Sequence, residues 1–336
     1  MIKLNSFDAH YEVYKATPTR VGIQDDALIS MVVTSYTSER LRDLRELLHS
    51  MSNQSISMQT VLVIERSSKL RDSLLAFLSS SDLEWILVFS ASRLGISNAR
   101  NLGISLSSCP LVGFVDDDAI LPPDWGINVL HAVAEHKDVC GITGQAIPKW
   151  MDEADSWFPE SLHWMIGCTS WRSSYKPELV TSLSGVNMVF RRHVFDKVKF
   201  VDQFTDGAQA RGKLGLPNED NDFATRLMRA TGKRIFFSPD IRVYHKVYPF
   251  KLTNSYVRRY AFWQGMAESK YDANQVGQFR GPNRILVVRG IFQDVLAPSP
   301  NRWKVIDAIL TFLIFGVLGL VSYRSKAISR LVQGVL

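Results

Sequence analysis

Three adjacent carboxylates, Asp116, Asp117 and Asp118, follow the apolar run Leu111-Val112-Gly113-Phe114-Val115. That run reads as a buried strand, which places the acids at its carboxyl end. Side by side there, they repel one another and resist desolvation. A divalent cation offsets both effects: Mg²⁺ or Mn²⁺ takes one or two carboxylates and leaves its other positions to substrate phosphates. Ligands of open α/β sheets bind outside the carboxyl ends of the strands, which favours this reading over a solvated acidic turn. A second acidic group, Asn218-Glu219-Asp220-Asn221-Asp222, opens a segment that runs on to Leu227. Acids at the start of a helix are favoured by its dipole in any case, so alone this group has a structural explanation. Between the two acidic groups in role, Gly95-Ile96-Ser97 precedes Arg100. A glycine before a Ser-initiated helix suits close approach of a phosphate, with Arg100 as a donor; a capped helix with a surface arginine fits equally well.

The elements that must position these groups alternate regularly. Leu28 to Thr34 is apolar, β-branched and continuous, as expected of a parallel strand. A helix follows with Leu41, Leu44, Leu47 and Leu48 at helical spacing and Ser38 as its expected N-cap. Thr60 to Glu65 is a second strand with an acid at its tip, Leu70 to Leu78 a helix, and Trp85 to Val88 a third strand. This order predicts a doubly wound nucleotide-binding half. Residues up to about 27 are polar and mixed, expected to form an edge strand or a covering segment. After the second acidic group, Arg234 to Phe237 is a strand, followed by Ser238-Pro239-Asp240 and Val243-Tyr244-His245-Lys246-Val247. His245 is open to two readings, a packed core residue or a ligand. Tyr256 to Tyr271 mixes Arg258, Arg259, Phe262, Trp263 and Lys270 on a helix, a composition that suits an interface with anionic headgroups.

Bulk properties narrow the classes. The 336 residues are 46% hydrophobic and 21% charged, ordinary for a globular chain, with a net charge of +6. A modest positive excess favours anionic partners such as nucleotide sugars, lipid phosphates or a membrane surface. No Lys/Arg block of the nucleic-acid-binding kind is present. Three widely spaced cysteines (Cys109, Cys140, Cys168) lack a CxxC pair, so reduced thiols are expected rather than a disulfide frame or a zinc site. Met1 to Asp8 is not followed by the apolar stretch of a signal peptide. Ala308 to Tyr323 carries no charge and is flanked by Trp303, Lys304, Arg324 and Lys326. It falls short of the roughly 20 apolar residues a spanning helix wants. Membrane association (spanning, re-entrant or lying flat) and a buried helix or oligomer contact are the two readings, with the flanks favouring the membrane.

Taken together, Thr34-Ser35-Tyr36, Glu65, the Gly95-to-Gly103 helix and Asp116-Asp117-Asp118 resemble, in order and spacing, a family 2 glycosyltransferase of the GT-A fold. The resemblance implies an α/β catalytic domain over 1–250, Rossmann-like with a mostly parallel central sheet. Its nucleotide half would be about 28–118 and its acceptor half about 119–250, with a helical, membrane-associating extension over 251–336. Thr34, Tyr36 and Glu65 would line the nucleoside pocket. Arg100 and Asn101 would hold the nucleotide side of the donor. Asp116 to Asp118 match the family's DxD motif, with Asp118 on the metal, Asp116 at the ribose or metal, and Asp117 beside them. Ser184-Gly185-Val186-Asn187 resembles the central segment in which a glycine and Asn187 line the donor sugar. Glu219-Asp220 matches the motif that carries the general base, Asp220 first and Glu219 second. His245 would reach the metal or the diphosphate. A narrower similarity is to archaeal glucosyl-dolichyl phosphate glucuronosyltransferases. It rests on Trp157-Phe158-Pro159-Glu160-Ser161-Leu162-His163-Trp164, the IGCTSW stretch from Ile166 to Trp171, Asn218 to Met228, and the YHKV and AFWQG stretches.

The implied reaction is inverting transfer from a nucleotide sugar, UDP-linked and first of all UDP-glucuronate, with Mn²⁺ or Mg²⁺ as cofactor. The implied acceptor is a polyprenyl- or dolichyl-phosphate-linked sugar or a glycan, used at the cytoplasmic face of the membrane. Two other classes were weighed. A HAD-type phosphatase would place its aspartate near the N-terminus in a DxDxT context, and a nucleotidyltransferase would carry a Gly/Arg-rich N-terminal loop. A non-catalytic lipid- or partner-binding relative would have no chemical need of acids at both Asp116–Asp118 and Glu219–Asp220.

Overall fold

In the computed structural model, residues 2–4, 11–16, 27–169, 176–201, 219–273, 284–325 and 332 are described. Asn218, Ser170-Trp171 and Lys326 lie outside the described residues, as do the side chains of Lys270, Tyr271, Tyr323 and Arg324.

Strands β1 (Ile2–Leu4) and β2 (Tyr11–Ala16) form the outer edge of one large sheet, the edge expected of the N-terminal segment. Next come β3 (Ile29–Ser35), α1 (Leu41–Ser52), β4 (Gln59–Glu65), α2 (Ser68–Leu78), β5 (Glu84–Ser90), α3 (Ile96–Leu106) and β6 (Leu111–Val115). The four strands β5-β4-β3-β6 are neighbours in that order and all run parallel. All seven residues of β4 and all five of β6 are buried, because helices cover both faces and a two-sided core admits no alternation. On one face α1 buries Leu44, Leu47 and Leu48 completely, each worth about 1.5–3 kcal/mol. The helix does not start at Ser38. A 3₁₀ turn, Ser38–Arg40, comes first, and Thr37 caps it by accepting from the Glu39 N–H. That extra turn brings Arg40 back over the end of the sheet.

The second half of the sheet inserts antiparallel strands. β7 (Ala119–Ile120), α4 (Trp125–Glu135), β8 (Val139–Trp150), β9 (Glu178–Val180), β10 (Asn187–Arg191), α5 (Glu219–Thr231) and β11 (Arg234–Val247) complete the sheet, with β10 antiparallel to β6 and β8, and β11 parallel to β8. The 234–237 and 243–247 segments belong to one strand, β11, whose register shifts between Ser238 and Arg242. The shift absorbs Pro239, which has no N–H to give a ladder. Beneath α5 lies a phenylalanine cluster: Phe223 stacks on Phe200 at 4.2 Å, and Phe114 of β6 meets Phe200 edge-on at 5.5 Å. Phe223 is three residues past Asp220, so the cluster fixes the end of α5 that carries the acids.

Helices α6 (Asn254–Ala273), α7 (Arg284–Leu296) and α8 (Arg302–Arg324) follow. α6 and α8 cross at glycines. A Cβ on Gly265 would collide with the Gly316 carbonyl oxygen, and one on Gly319 with that of Phe262, so the two backbones touch. α7 covers the 3₁₀ turn Glu160–Ile166, where Asp294 accepts from the Ser161 N–H at 2.9 Å. Arg302–Ser322 is long and apolar enough to cross a membrane, and only 33% of its most apolar window is buried. Leu310, Leu313, Ile314, Val317 and Val321 of α8 are exposed, as are Val288, Phe292 and Leu296 of α7.

Candidate active site

β6 ends at Val115 and delivers Asp116, Asp117 and Asp118 to the carboxyl edge of the parallel strands. β7 then pairs antiparallel with β11, with Ala119 opposite His245 and the Lys246 N–H donating to the Asp118 carbonyl at 3.0 Å. This short ladder carries His245 across 127 positions of sequence to the acids. Its Nε2 lies 3.0 Å from Asp118 Oδ1. Ligand atoms of Asp116, Asp118 and His245 all lie within 4.8 Å of one another. The ring fits there because Gly167, left-handed at φ +81°, has no Cβ; one would stand 2.7 Å from His245 Cε1. Cys168 Sγ, 3.8 Å from Nδ1, lies on the far side of the ring.

An imidazole and two cations face Asp118. Besides His245, Arg40 Nη1 is 2.8 Å from Oδ2 and Lys251 Nζ 3.6 Å. Burial works to raise the Asp118 carboxyl, but His245, Lys251 and Arg40 outweigh it and hold it well below the ordinary range. Its neighbours go the other way. Burial, then the charge of Asp118, pushes Asp116 up and drives Asp117 up to about 7. Asp117 also accepts from Ser35 Oγ at 2.5 Å. Two acidic oxygens and an imidazole, crowded together, suit a divalent cation. Asp116, Asp118 and His245 are the residues that could hold it.

The other acidic group faces the same space. Asp220 accepts from the Gly185 N–H at 2.9 Å through Oδ2 and from the Asn221 N–H at 2.7 Å through Oδ1. Burial first, then adjacent Glu219, drives its carboxyl up to about 7. Glu219 pairs at 3.0 Å with Nη1 of Arg100, which is buried on α3. Asp116, His245, Lys251, Arg100, Glu219 and Asp220 share the lining of one cavity of about 280 Å³. Aromatic side chains Trp164, Tyr256 and Tyr260 wall it on the side of α6. The cavity therefore brings Asp116 and His245, two of the three cation-binding side chains, together with the Asp220 carboxyl.

Not every expected residue reaches this cavity. Tyr36 and Glu65 stand apart at the ends of β3 and β4; Glu65 Oε2 accepts from the Leu94 and Gly95 N–H groups at 2.5 and 3.0 Å. Thr34 is half-buried within β3. Asn101 exchanges both its amide atoms with the Phe200 backbone, at 2.8 and 3.1 Å. Asn187 is fully buried: it donates to the Ile241 and Gln145 carbonyls and accepts from Trp125 Nε1. Its neighbours Ser184 and Gly185 line the cavity in its place. Sequence reasoning missed Arg40, Lys251 and Ser35 around the acids. A basic residue just beyond the first strand, and another just beyond His245, were the available signals.

The profile of glycosyl transferase family 2 matches residues 30–199, half of the chain, and the chain belongs to that family. It is 26% identical over 245 residues to the glucosyl-dolichyl phosphate glucuronosyltransferase of Haloferax volcanii, covering 73% of this chain and 77% of that protein. The fold is similar to a mannosyltransferase of Pyrobaculum calidifontis determined with GDP-Man and Mn²⁺, with a TM-score of 0.54 and 14% identity over 92% of this chain and 81% of that one. A TM-score of 0.49 relates it to residues 1–349 of S. aureus TarS, at 14% identity over 89% and 91% of the two chains. The sheet is that of the GT-A glycosyltransferases, and the chain is a glycosyltransferase.

Proposed function

We propose that the chain is an inverting glycosyltransferase that takes a sugar from a nucleoside diphosphate and places it on a lipid-linked acceptor at the cytoplasmic membrane face. The observation that carries this is the shared cavity: Asp116 and His245, two of the three cation-binding side chains, line the same walls as the buried Asp220 carboxyl. Asp116, Asp118 and His245 would hold a divalent cation, with the imidazole favouring Mn²⁺ over Mg²⁺. A cation held there supplies charge to offset that of the departing diphosphate. Lys251 and Arg100, already on the cavity wall, orient and neutralise the same phosphates. Asp220 takes the proton of the acceptor hydroxyl as that oxygen attacks the anomeric carbon opposite the leaving group. The hydrogen bond from the Gly185 N–H holds Oδ2 in place for this. Glu219, engaged with Arg100, keeps the Asp220 carboxyl basic by repulsion rather than acting as the base. The similarity to the Haloferax enzyme supports UDP-glucuronate as donor and a dolichyl-phosphate-linked sugar as acceptor. Exposed apolar side chains on α7 and α8 support the membrane location.

Calorimetric titration with UDP-glucuronate, UDP-glucose and GDP-mannose, each with Mn²⁺, Mg²⁺ or EDTA, tests the donor side. One nucleotide sugar, UDP-glucuronate first, is expected to bind only with metal, and Asp118→Asn to lose that dependence. Binding indifferent to EDTA would remove the role given to Asp118. Absence of binding by all three would remove the donor assignment.

A further inference from the structure

Arg66 is the only non-glycine residue with a positive φ among the described residues, at 67°. The Ser67 N–H closes onto the Glu65 carbonyl at 2.8 Å, so Arg66 is the central residue of a three-residue turn of the rare, strained positive-φ kind. Both sides pin it. Its own N–H donates to the Ser90 carbonyl at 2.8 Å, and Ser67 Oγ accepts from the Leu70 N–H to cap α2. A glycine would adopt this backbone without strain, so the fold itself has no use for an arginine here. Strain of this sort persists where surrounding structure imposes it, and it gathers at ligand clamps.

The strained turn aims the side chain. The guanidinium lies over the Tyr36 ring, 4.8 Å from its centroid, with Nη2 3.7 Å from Glu65 Oε1. Tyr36 is 57% exposed. A cation on so open a ring contributes little to stability, so that contact alone does not account for the strain. Glu65 Oε2 is occupied by the Leu94 and Gly95 N–H groups, which leaves Oε1 as the oxygen on the Arg66 side. Tyr36 follows Ser35, which holds Asp117, so this flat shelf adjoins the acids. An aromatic face, a planar cation above it and one carboxylate oxygen at the end make a seat for a flat heterocycle.

Resting on the nucleotide-sugar reading above, we propose that Arg66 is a nucleobase-binding residue, which lies over Tyr36 and swings to the edge of a base laid on that ring. Donors from Arg66 beside an acceptor from Glu65 complement a base edge with a carbonyl next to a ring N–H. Uracil and guanine present such an edge; cytosine and adenine present a bare ring nitrogen beside an amino group.

The test is titration of the full chain, with Mn²⁺, by UDP, GDP, CDP and ADP, for wild type, Arg66→Gly and Arg66→Lys. Wild type is expected to bind UDP or GDP at least about tenfold more tightly than CDP or ADP. Arg66→Gly is expected to lose about tenfold for the favoured nucleotide with a thermal midpoint equal to or above wild type, because glycine relaxes the turn. Arg66→Lys, which keeps charge but not the plane, is expected to fall between them. Unchanged affinity in Arg66→Gly overturns the assignment. If Arg66→Gly instead melts lower, wild-type affinity in Arg66→Lys overturns it and a loss there upholds it. Wild type that binds none of the four would remove the nucleotide-sugar reading and this inference with it, an outcome distinct from failure at Arg66 alone.

Discussion

At the scale of single residues, the proposed mechanism makes the ionisation of Asp220 the step that sets turnover. Its carboxyl is driven up to about 7 by burial and by Glu219, and only the ionised form can accept a proton. The rate on saturating acceptor is therefore expected to climb between pH 6 and pH 8 and level off above. Asp220→Asn is expected to lower kcat by about 10²–10⁴ and to leave metal-dependent donor binding in place. Stability should move oppositely. The folded-state value lies above the unfolded one, so the native state holds this proton more tightly. The stabilisation is full below the unfolded value of about 4 and is lost as pH rises through about 7. Asp220→Asn should then melt higher than wild type at pH 8 and alike at pH 4; equal melting at both would sink the assigned pKa. Asp118 was legible in sequence because acids at the end of an apolar strand point to a cation, whereas Asp220, at the start of a helix, stood out only through the family resemblance. Arg40 and Lys251 were not. Arg40 follows the expected helix cap Ser38 and Lys251 lies past the His245 segment, with no local pattern that marks either, and only the fold brings them to Asp118.

Among elements, the joint between α1 and the end of β11 holds the metal side of the cavity. Lys246 is 1% exposed and places Nζ 2.8 Å from Asp43 and 2.7 Å from Glu46, while Tyr248 donates to Asp43 at 2.6 Å. Burial works to raise Asp43, but the bonds from Lys246 and Tyr248 overcome it and hold it below its ordinary value. Asp43 also accepts from Arg40 at 3.2 Å, so one carboxylate anchors both the strand and the arginine on Asp118. Removing one partner of a buried pair leaves the other charge uncompensated. Asp43→Ala is expected to cost about 3 kcal/mol in urea unfolding, at the low end of the range because Glu46 remains. A cost under about 0.5 kcal/mol would mean the joint is slack. Helical spacing foretold that Leu44, Leu47 and Leu48 face the core, and the alternation of strands and helices foretold the parallel half. The continuous β11 was not legible: Ser238-Pro239-Asp240 reads as a stop, and only the register shift against β8 carries the strand through it. The cavity position of Asn187 failed for a related reason, since a side chain's direction depends on the pleat of β10 and not on the motif.

For the whole molecule, exposed apolar side chains gather on α7 and α8, the surface proposed above to meet a membrane. Leu310, Leu313, Ile314 and Val317 are exposed, so charges placed there burden no packed core. Ile314→Glu with Val317→Glu is expected to abolish flotation with vesicles containing anionic lipid while the thermal midpoint in detergent stays within about 2 °C. Flotation that survives would place the membrane contact elsewhere. The glycine crossing of α6 and α8 has its own consequence. No side chains stand between Gly265, Gly316 and Gly319, so nothing there can yield when one helix leans. Tyr256 and Tyr260, on the turns of α6 just before the crossing, wall the cavity. On the proposed membrane location, the angle at which α8 settles in a bilayer would be passed on, as by a lever with no play, to the wall beside Asp220, and membrane thickness would then set the width of the proposed acceptor's way in.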